Sequence, residues 1–293
     1  MVQLILGTVQ LGLDYGINND VGKPSVEKSF EILDYAFNNG ISILDTANAY
    51  GDSEKIIGNY MKKTGNEFKI STKLSALNDN SNISKFITDQ INSSLELLSK
   101  NIIDLYLIHN FNDLLDNEDL IFQLKKTKKV SKVGVSLYDP DELEFLLSHY
   151  CDDIDFVQIP FNILDSRWIQ NDLLKRTKEN GIKIFARSIF VQGLIFMIDE
   201  NKMDNIHSDL KIYIDFISNL ANEKQIQVSS LALDYVKSFN EIDGILVGCE
   251  TLGQLKENID QFNSEISVND VDKENILELT KDIPKKIIDP RKW

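Results

Sequence analysis

The chain has 293 residues, which is long enough for one large core and permits either one barrel-sized domain or two smaller ones. Hydrophobic residues make up 42% and charged residues 26%, as in ordinary soluble proteins, and only 5 Pro and 14 Gly argue against low-complexity linkers. The formal net charge of -15 argues against partners such as nucleic acid or an anionic membrane surface, since both require a basic face.

Cysteine usage and hydropathy indicate the compartment. Cys151 and Cys249 are isolated and have neither CxxC nor metal-ligand spacing. The N-terminus lacks the basic-then-apolar pattern of a signal peptide. The longest apolar stretches are far shorter than the roughly 20 residues that a membrane span requires. These features predict a soluble cytoplasmic protein.

Strand-like and helix-like segments alternate along the chain. Apolar runs predict eight strands, at residues 4–7, 41–44, 68–73, 103–109, 130–136, 155–160, 182–187 and 244–247. Helical spacing predicts helices at residues 25–39, 54–61, 83–98, 120–126, 140–147, 173–180 and 252–262, with one or two more within residues 209–239.

This alternation predicts the fold class. Because neither a linker nor a shift in composition divides the chain, one parallel α/β TIM barrel, (β/α)8, over residues 1–293 is favoured over two open sheets. Residues 266–293 are predicted to form a C-terminal tail that folds back near the barrel mouth. Alternatively, Trp293 ends a frayed helix and packs on the outer surface.

Four polar side chains follow three successive predicted strands. Asp45 and Tyr50 follow the second, Lys73 ends the third and His109 ends the fourth. The carboxyl ends of parallel strands meet at one edge, so these side chains are expected to lie together. Taken singly, Tyr50 could be a core aromatic and His109 a structural histidine.

Two short motifs surround these residues: Asp-Thr-Ala-x-x-Tyr-Gly contains Asp45 and Tyr50, and Leu-Ile-His ends at His109. With these motifs the chain resembles the aldo-keto reductase family. The Asp, Tyr, Lys and His of that family are matched by Asp45, Tyr50, Lys73 and His109. A phenol is a poor acid at neutral pH, and the ammonium of Lys73 favours the phenolate. Asp45 would hold Lys73, and His109 would bind a carbonyl oxygen beside Tyr50. Such a site holds no reductant, and the resemblance implies a nicotinamide dinucleotide, NAD(P)H.

The same resemblance implies a set of cofactor-binding residues. They are Gly7, Thr8, Asp45, Ser136, Gln158, Arg187, Ser188, Phe190, Gln192, Gly193, Gly248, Glu250, Gln254, Glu257 and Asn258. Two positions depart from the family pattern. Leu137 replaces the Asn that in the family usually follows the serine matched by Ser136. Arg187 stands where many members stack a Tyr on the nicotinamide ring, and the planar guanidinium of Arg187 could also stack there.

The segment around Glu250 bears on which dinucleotide is used. The basic residues with which many members grip a 2′-phosphate are replaced by Gly248 and Gln254. Glu250 adds a negative charge that would repel the phosphate and could accept ribose hydroxyls. These residues favour NADH or dual use over strict NADPH preference, unless Lys256 folds into the site.

The substrate is expected to be a small or sugar-like carbonyl compound or the matching alcohol. Besides Tyr50 and His109, the loops would present Tyr15, Asn110 and Trp168 at the barrel mouth. A closed barrel is compatible with a monomer.

Three other functions remain open: a dinucleotide-binding sensor or regulatory protein with little turnover, a Schiff-base aldolase that uses Lys73, and a metal-dependent hydrolase. The paired Asp45 argues against the aldolase because it keeps Lys73 protonated. The three histidines without ligand spacing argue against the hydrolase.

Overall fold

The computed structural model describes residues 2–16, 21–78, 82–197, 206–265 and 267–293. Eight parallel strands form a closed barrel in sequence order, and β1 returns to β8 through pairs such as Leu6 with Val247. The strands are β1 Gln3–Gly7, β2 Ile43–Asp45, β3 Lys69–Leu74, β4 Ile103–Ile108, β5 Val130–Ser136, β6 Phe156–Pro160, β7 Lys183–Arg187 and β8 Ile242–Gly248. The predicted (β/α)8 barrel is therefore confirmed.

Helices surround this barrel. The α-helices of the described residues are Val9–Gly12, Val26–Asn38, Ser53–Thr64, Ile83–Leu98, Phe111–Asp116, Leu120–Lys126, Pro140–His149, Leu173–Glu179, Leu210–Glu223, Val228–Lys237, Leu252–Asn263, Asp270–Thr280 and Lys285–Ile288. The helix boundaries follow capping residues: Ser25 caps helix Val26–Asn38, and Gly65 ends helix Ser53–Thr64 in a left-handed conformation. The segment predicted to hold one or two helices contains two.

Two hydrophobic clusters form on opposite faces of the strands. In β1, Ile5 belongs to a small cluster with Phe156 and Phe185, whereas its neighbours Leu4 and Leu6 belong to the large cluster that includes the helices. Side chains alternate across a strand, so the small cluster fills the barrel interior and the large one lies between barrel and helices. The interior is thus packed below the carboxyl ends of the strands, and an open site can form only above it.

The end of the chain folds back onto the loop after β5, where Lys285 pairs with Asp139 and Arg291 lies against the ring of Tyr138. After helix Lys285–Ile288 a 3-10 turn, Pro290–Lys292, leads to Trp293, whose indole nitrogen donates to the Lys286 carbonyl oxygen at 2.7 Å. Ile266, the first residue of the predicted tail, lies outside the described residues. Within the described ranges, no helix combines the length and the apolar character that crossing a membrane requires.

Candidate active site

A pocket of about 620 Å³ opens at the carboxyl ends of the strands. Asp45, Tyr50, Lys73 and His109 all line it, although they come from three strand ends that are far apart in sequence. We call this part the strand end of the pocket. A second part, which we call the helix end, is lined by Glu250, Gln254, Glu257 and Asn258, at the start of helix Leu252–Asn263.

Asp45 and Lys73 form a buried ion pair at the strand end. Lys73 Nζ donates to Asp45 Oδ1 at 2.5 Å and to the Thr46 carbonyl oxygen at 2.8 Å. The other carboxylate oxygen accepts from Ser71 Oγ and Gln158 Nε2, both at 2.8 Å. Burial alone would lower the pKa of Lys73, but the Asp45 carboxylate and Tyr50 together outweigh it and the pKa is raised. Lys73 is therefore an ammonium held in place by Asp45.

Tyr50 is positioned by close backbone packing. A Cβ on Gly12 would lie 1.7 Å from the Tyr50 carbonyl oxygen, and one on Gly51 would lie 2.6 Å from the Gly12 carbonyl oxygen. Two glycines thus let the loop after β2 lie directly on the turn after β1. Lys73 Nζ lies 4.9 Å from the centroid of the Tyr50 ring. The phenol and the ammonium are neighbours inside the pocket.

His109 is kept neutral by its surroundings. Burial lowers the pKa of His109 to about 4, and the positive charges of Lys73 and Arg187 act in the same direction. A neutral imidazole can donate one hydrogen bond without carrying a charge. The strand end therefore combines a phenol, an ammonium and a neutral imidazole, a set able to hold a carbonyl oxygen and give it a proton.

All fifteen residues predicted to bind a cofactor line this pocket. They are Gly7, Thr8, Asp45, Ser136, Gln158, Arg187, Ser188, Phe190, Gln192, Gly193, Gly248, Glu250, Gln254, Glu257 and Asn258. The side-chain nitrogen of Gln158, one of these predicted residues, donates to Asp45 Oδ2. The pocket brings these residues together, and their roles stay predictions.

The helix end is the N-terminus of helix Leu252–Asn263. Thr251 caps this helix, and Gln254 Oε1 accepts from the backbone nitrogens of Glu250 at 2.7 Å and of Thr251 at 3.2 Å. Lys256 points elsewhere: its ammonium lies 5.3 Å from the Tyr35 ring centroid, and it is not part of the pocket wall. Carboxylates rather than cations therefore surround the helix end.

The loop after β7 has an unusual backbone. Ser188, Val191 and Gln192 have φ values of 59°, 49° and 55°, and Gly193 follows at 92°. Positive φ is costly for a β-branched residue such as Val191, and strain of this kind clusters at ligand clamps. Ser188, Gln192 and Gly193 line the same pocket. No local sequence signal other than Gly193 announces this turn.

Sequence reasoning missed several wall residues, among them Tyr138 and the start of helix Val228–Lys237. Gln10 is also in the wall, and its Oε1 is buried without a hydrogen-bond partner within the described chain. A Cβ on Gly248 would lie 2.6 Å from the Gln10 amide. An unpaired buried amide oxygen is costly unless a ligand or water completes it.

Two predicted substrate residues do not line the pocket, which corrects the prediction. Trp168 is fully buried in the large core cluster. Asn110 caps helix Phe111–Asp116, accepting from Asn112 N at 3.3 Å and donating to Asp113 Oδ1 at 3.1 Å. Tyr15, by contrast, lines the pocket, and burial raises its pKa. Residue type in a loop did not reveal which side chains turn inward.

Arg187 already has a stacking partner. Its guanidinium carbon lies 4.2 Å from the centroid of the Tyr138 ring, and its Nη2 donates to the Leu137 carbonyl oxygen at 3.0 Å. These contacts differ from the predicted stack of Arg187 on a nicotinamide ring. Arg187 still lines the pocket, with its neighbour Ser188.

Comparison with known proteins identifies one matching family. The sequence model of the Aldo/keto reductase family matches residues 3–277. An NADH-specific methylglyoxal reductase of Escherichia coli is 25% identical, and the alignment covers 89% of this chain and 90% of that protein. D-arabinose 1-dehydrogenase of Saccharomyces cerevisiae is 23% identical, covering 88% and 82%. The similarity extends along almost the whole chain.

Solved structures show the same fold. The holo form of aldo-keto reductase AKR11C1 from Bacillus halodurans superposes with a TM-score of 0.71. The superposition covers 94% of this chain and 91% of that one, at 20% sequence identity. Shape is conserved far better than sequence, as expected where a barrel is specified by its pattern of apolar residues.

Proposed function

The chain belongs to the aldo/keto reductase family and is an NAD(P)-dependent enzyme that acts on carbonyl or CH–OH groups, and we propose that it reduces a small aldehyde or ketone, or oxidises the matching alcohol, with Tyr50 as general acid or base. The observation that carries this proposal is the buried Lys73–Asp45 pair beside Tyr50. Such a pair keeps a positive charge at the phenol, where a proton must be released.

The residues present fit a dinucleotide. The pocket runs from the strand end to a helix N-terminus, where backbone N–H groups and the helix dipole favour anionic groups. The unpaired Gln10 Oε1 offers an acceptor to a ligand, and Gly7 adds no side chain to the pocket wall, so a ligand can approach the backbone there. Ser136, Gln158 and Asn258 would hold its polar edges.

The chain's own residues account for the proton transfer. A nicotinamide dinucleotide, when bound, supplies the reducing equivalents as hydride to the carbonyl carbon. Neutral His109 and the Tyr50 hydroxyl orient the carbonyl oxygen, and Tyr50 gives its proton to that oxygen. Lys73 stabilises the phenolate left on Tyr50, and Asp45 keeps Lys73 in place. In the oxidative direction Tyr50 accepts the proton.

We propose that NADH is preferred or that both nucleotides are used. The basic residues in the pocket wall are Lys73, His109 and Arg187, which come from the ends of β3, β4 and β7, and none of them belongs to the segment after β8 that forms the helix end. A 2′-phosphate at the helix end would meet Glu250 and Glu257 without a lysine or arginine to pair with. Since Lys256 packs over Tyr35, it does not relieve this repulsion.

The alternative proposal is a dinucleotide-binding regulator with little turnover. Leu137 and Arg187 favour it, because the family's usual side chains are missing there and Arg187 stacks on Tyr138. The intact set of Asp45, Tyr50, Lys73 and His109 favours catalysis. A cytoplasmic location and a monomeric state stay predictions.

Two measurements with the purified chain test these proposals. Calorimetric titration with NADH and NADPH is expected to give micromolar or tighter binding, with NADH at least as tight. Nucleotide consumption is then followed with methylglyoxal, aldoses and simple aldehydes, and turnover of at least one is expected. Binding without turnover of any carbonyl or alcohol would favour the regulator, and absence of binding would contradict both proposals.

A further inference from the structure

Arg187 is a charged side chain of the pocket that lacks an opposite charge. It is partly buried at the end of β7, and its polar contacts are the Leu137 carbonyl oxygen at 3.0 Å and Ser188 Oγ at 3.2 Å. No carboxylate of the described residues forms an ion pair with it. A partly buried guanidinium that has no carboxylate partner is stabilised when an anionic group of a ligand binds to it.

The other cations near this part of the pocket are already paired. Lys73 is bound to Asp45, and Arg291 is bound to Asp289 at 2.8 Å. Arg291 lies 3.7 Å from the centroid of the Tyr138 ring and Arg187 lies 4.2 Å from it, so the ring separates two guanidiniums. Arg167 and Lys285 both pair with Asp139. Among these cations of the described residues, Arg187 is therefore the one without a carboxylate partner.

Arg187 lines the same pocket as the groups proposed to react with the carbonyl, Tyr50 and His109. β7 lies across the barrel from β3, which carries Lys73, so Arg187 faces the reaction centre over the mouth. Arg187 is also close enough to lower the pKa of His109 and to act on Tyr15 electrostatically. A molecule whose carbonyl touches Tyr50 and His109 would thus reach Arg187 with its other end.

We infer that the substrate is a small carbonyl compound that carries an oxyanion group, a carboxylate or a phosphate ester, a few bonds from the carbonyl, and that Arg187 binds this group as the specificity-determining residue. The inference rests on the proposed reductase function and narrows its substrate class. Arg187 presents a planar fork of donors, which matches the two oxygens of such a group. Tyr138 and Leu137 keep the fork in one orientation.

Matched substrate pairs test this inference. Succinic semialdehyde is compared with its methyl ester, and glyceraldehyde phosphate with glyceraldehyde, so that each pair differs mainly in the anion. Wild type is expected to show a kcat/KM at least about tenfold higher for the anionic member of one pair. A preference for succinic semialdehyde over its ester indicates a carboxylate substrate, and a preference for glyceraldehyde phosphate over glyceraldehyde indicates a phosphate ester. In Arg187→Met this ratio is expected to fall by about tenfold, and Arg187→Lys should restore part of it.

Arg176→Met is the matched control, since Arg176 pairs with Glu144 and lies outside the pocket wall. Its ratio should stay at the wild-type value. Equal kcat/KM for both members of each pair in the wild type would overturn the inference. So would an Arg187→Met variant with an unchanged ratio and NADH binding weakened tenfold, because Arg187 would then serve the nucleotide.

Failure of the reductase function is recognised separately. If neither these four aldehydes nor methylglyoxal, the aldoses and the simple aldehydes are reduced with either nucleotide, that function is contradicted. Calorimetric binding of succinate and of inorganic phosphate to wild type and Arg187→Met then still decides the anion site. Weaker binding of either anion to the variant supports it, and identical binding of both overturns it.

Discussion

At the strand end of the pocket Lys73 and Asp45 are almost completely buried, whereas at the helix end Gln254 and Glu257 are exposed. The strand end is held by hydrogen bonds between β2, β3 and β6, through Ser71 and Gln158. The helix end depends on one capping box and on side chains at the start of a helix.

This contrast separates chemistry from specificity. Asp45 and Lys73 lie on neighbouring barrel strands and cannot move apart without breaking the sheet, so the ion pair beside Tyr50 has a fixed geometry. Side chains on a helix terminus can be replaced at little cost to the barrel. Substitutions at the strand end should therefore abolish turnover, and substitutions at the helix end should change which nucleotide is used.

The largest effect is expected from Lys73→Met. Removing the ammonium leaves Tyr50 without its stabilising charge, so kcat should fall by about 10²–10⁴-fold. The measurement is steady-state kcat at saturating nucleotide and substrate. Lys100→Met is the control, because Lys100 pairs with Asp104 and is not a pocket residue. A Lys73→Met variant with wild-type kcat would show that the pair serves structure alone.

A pH-dependent stability change is expected from His109. Its pKa is about 4 in the folded chain against an ordinary value of 6.5, so between these values the unfolded chain binds a proton that the folded chain does not. The free energy of unfolding should therefore decrease as pH falls from 6.5 to 4, and His109 should account for up to about 3 kcal/mol of this decrease.

Urea titrations of wild type and His109→Gln near pH 7 and about pH 4.5 measure this contribution. The variant should lose less stability than the wild type between the two conditions. Equal losses in both proteins would show that His109 titrates normally in the folded chain.

A smaller effect is expected from Gly12→Ala, which tests how Tyr50 is positioned. The added Cβ would lie 1.7 Å from the Tyr50 carbonyl oxygen and 2.8 Å from Ser53 N, so the loop must shift. We expect a loss of about 1–3 kcal/mol in the free energy of unfolding and a kcat lowered by about tenfold. Gly253→Ala, whose Cβ would lie 3.7 Å from Thr251 Oγ1, is the control. Unchanged kcat in Gly12→Ala would refute this account of Tyr50.

The smallest effect is expected at the helix end, from Glu250→Lys. The new cation would attract a 2′-phosphate, so the ratio of NADPH to NADH affinity should rise by about tenfold, or 1.4 kcal/mol. Calorimetry with both nucleotides measures the ratio. Glu31→Lys makes the same charge change on an exposed residue of helix Val26–Asn38 and should leave the ratio unchanged. A similar shift in both variants would indicate a general charge effect.

The barrel and the four strand-end residues could be predicted because both depend on short-range patterns. Apolar runs define the strands, and the parallel sheet then brings Asp45, Lys73 and His109 to one edge. The loops could not be predicted in this way. Trp168 turned into the core and Asn110 became a helix cap, since a loop side chain is oriented by contacts distant in sequence.

Contacts between segments that are distant in sequence could not be predicted either. The stack of Arg187 and Arg291 on Tyr138 joins β7, the loop after β5 and the chain end, and no periodicity announces it. The strained turn at Val191 and Gln192 gave no warning either, because neither residue type favours positive φ.

The most direct test of the account is hydride transfer in Tyr50→Phe under single-turnover conditions, with NADH bound and the best carbonyl substrate in excess. Absorbance of NADH gives the rate, and calorimetry gives its affinity. The account predicts a rate about 10²–10⁴-fold below wild type, with NADH affinity nearly unchanged. A wild-type rate in Tyr50→Phe would contradict the assignment of Tyr50 as the proton donor.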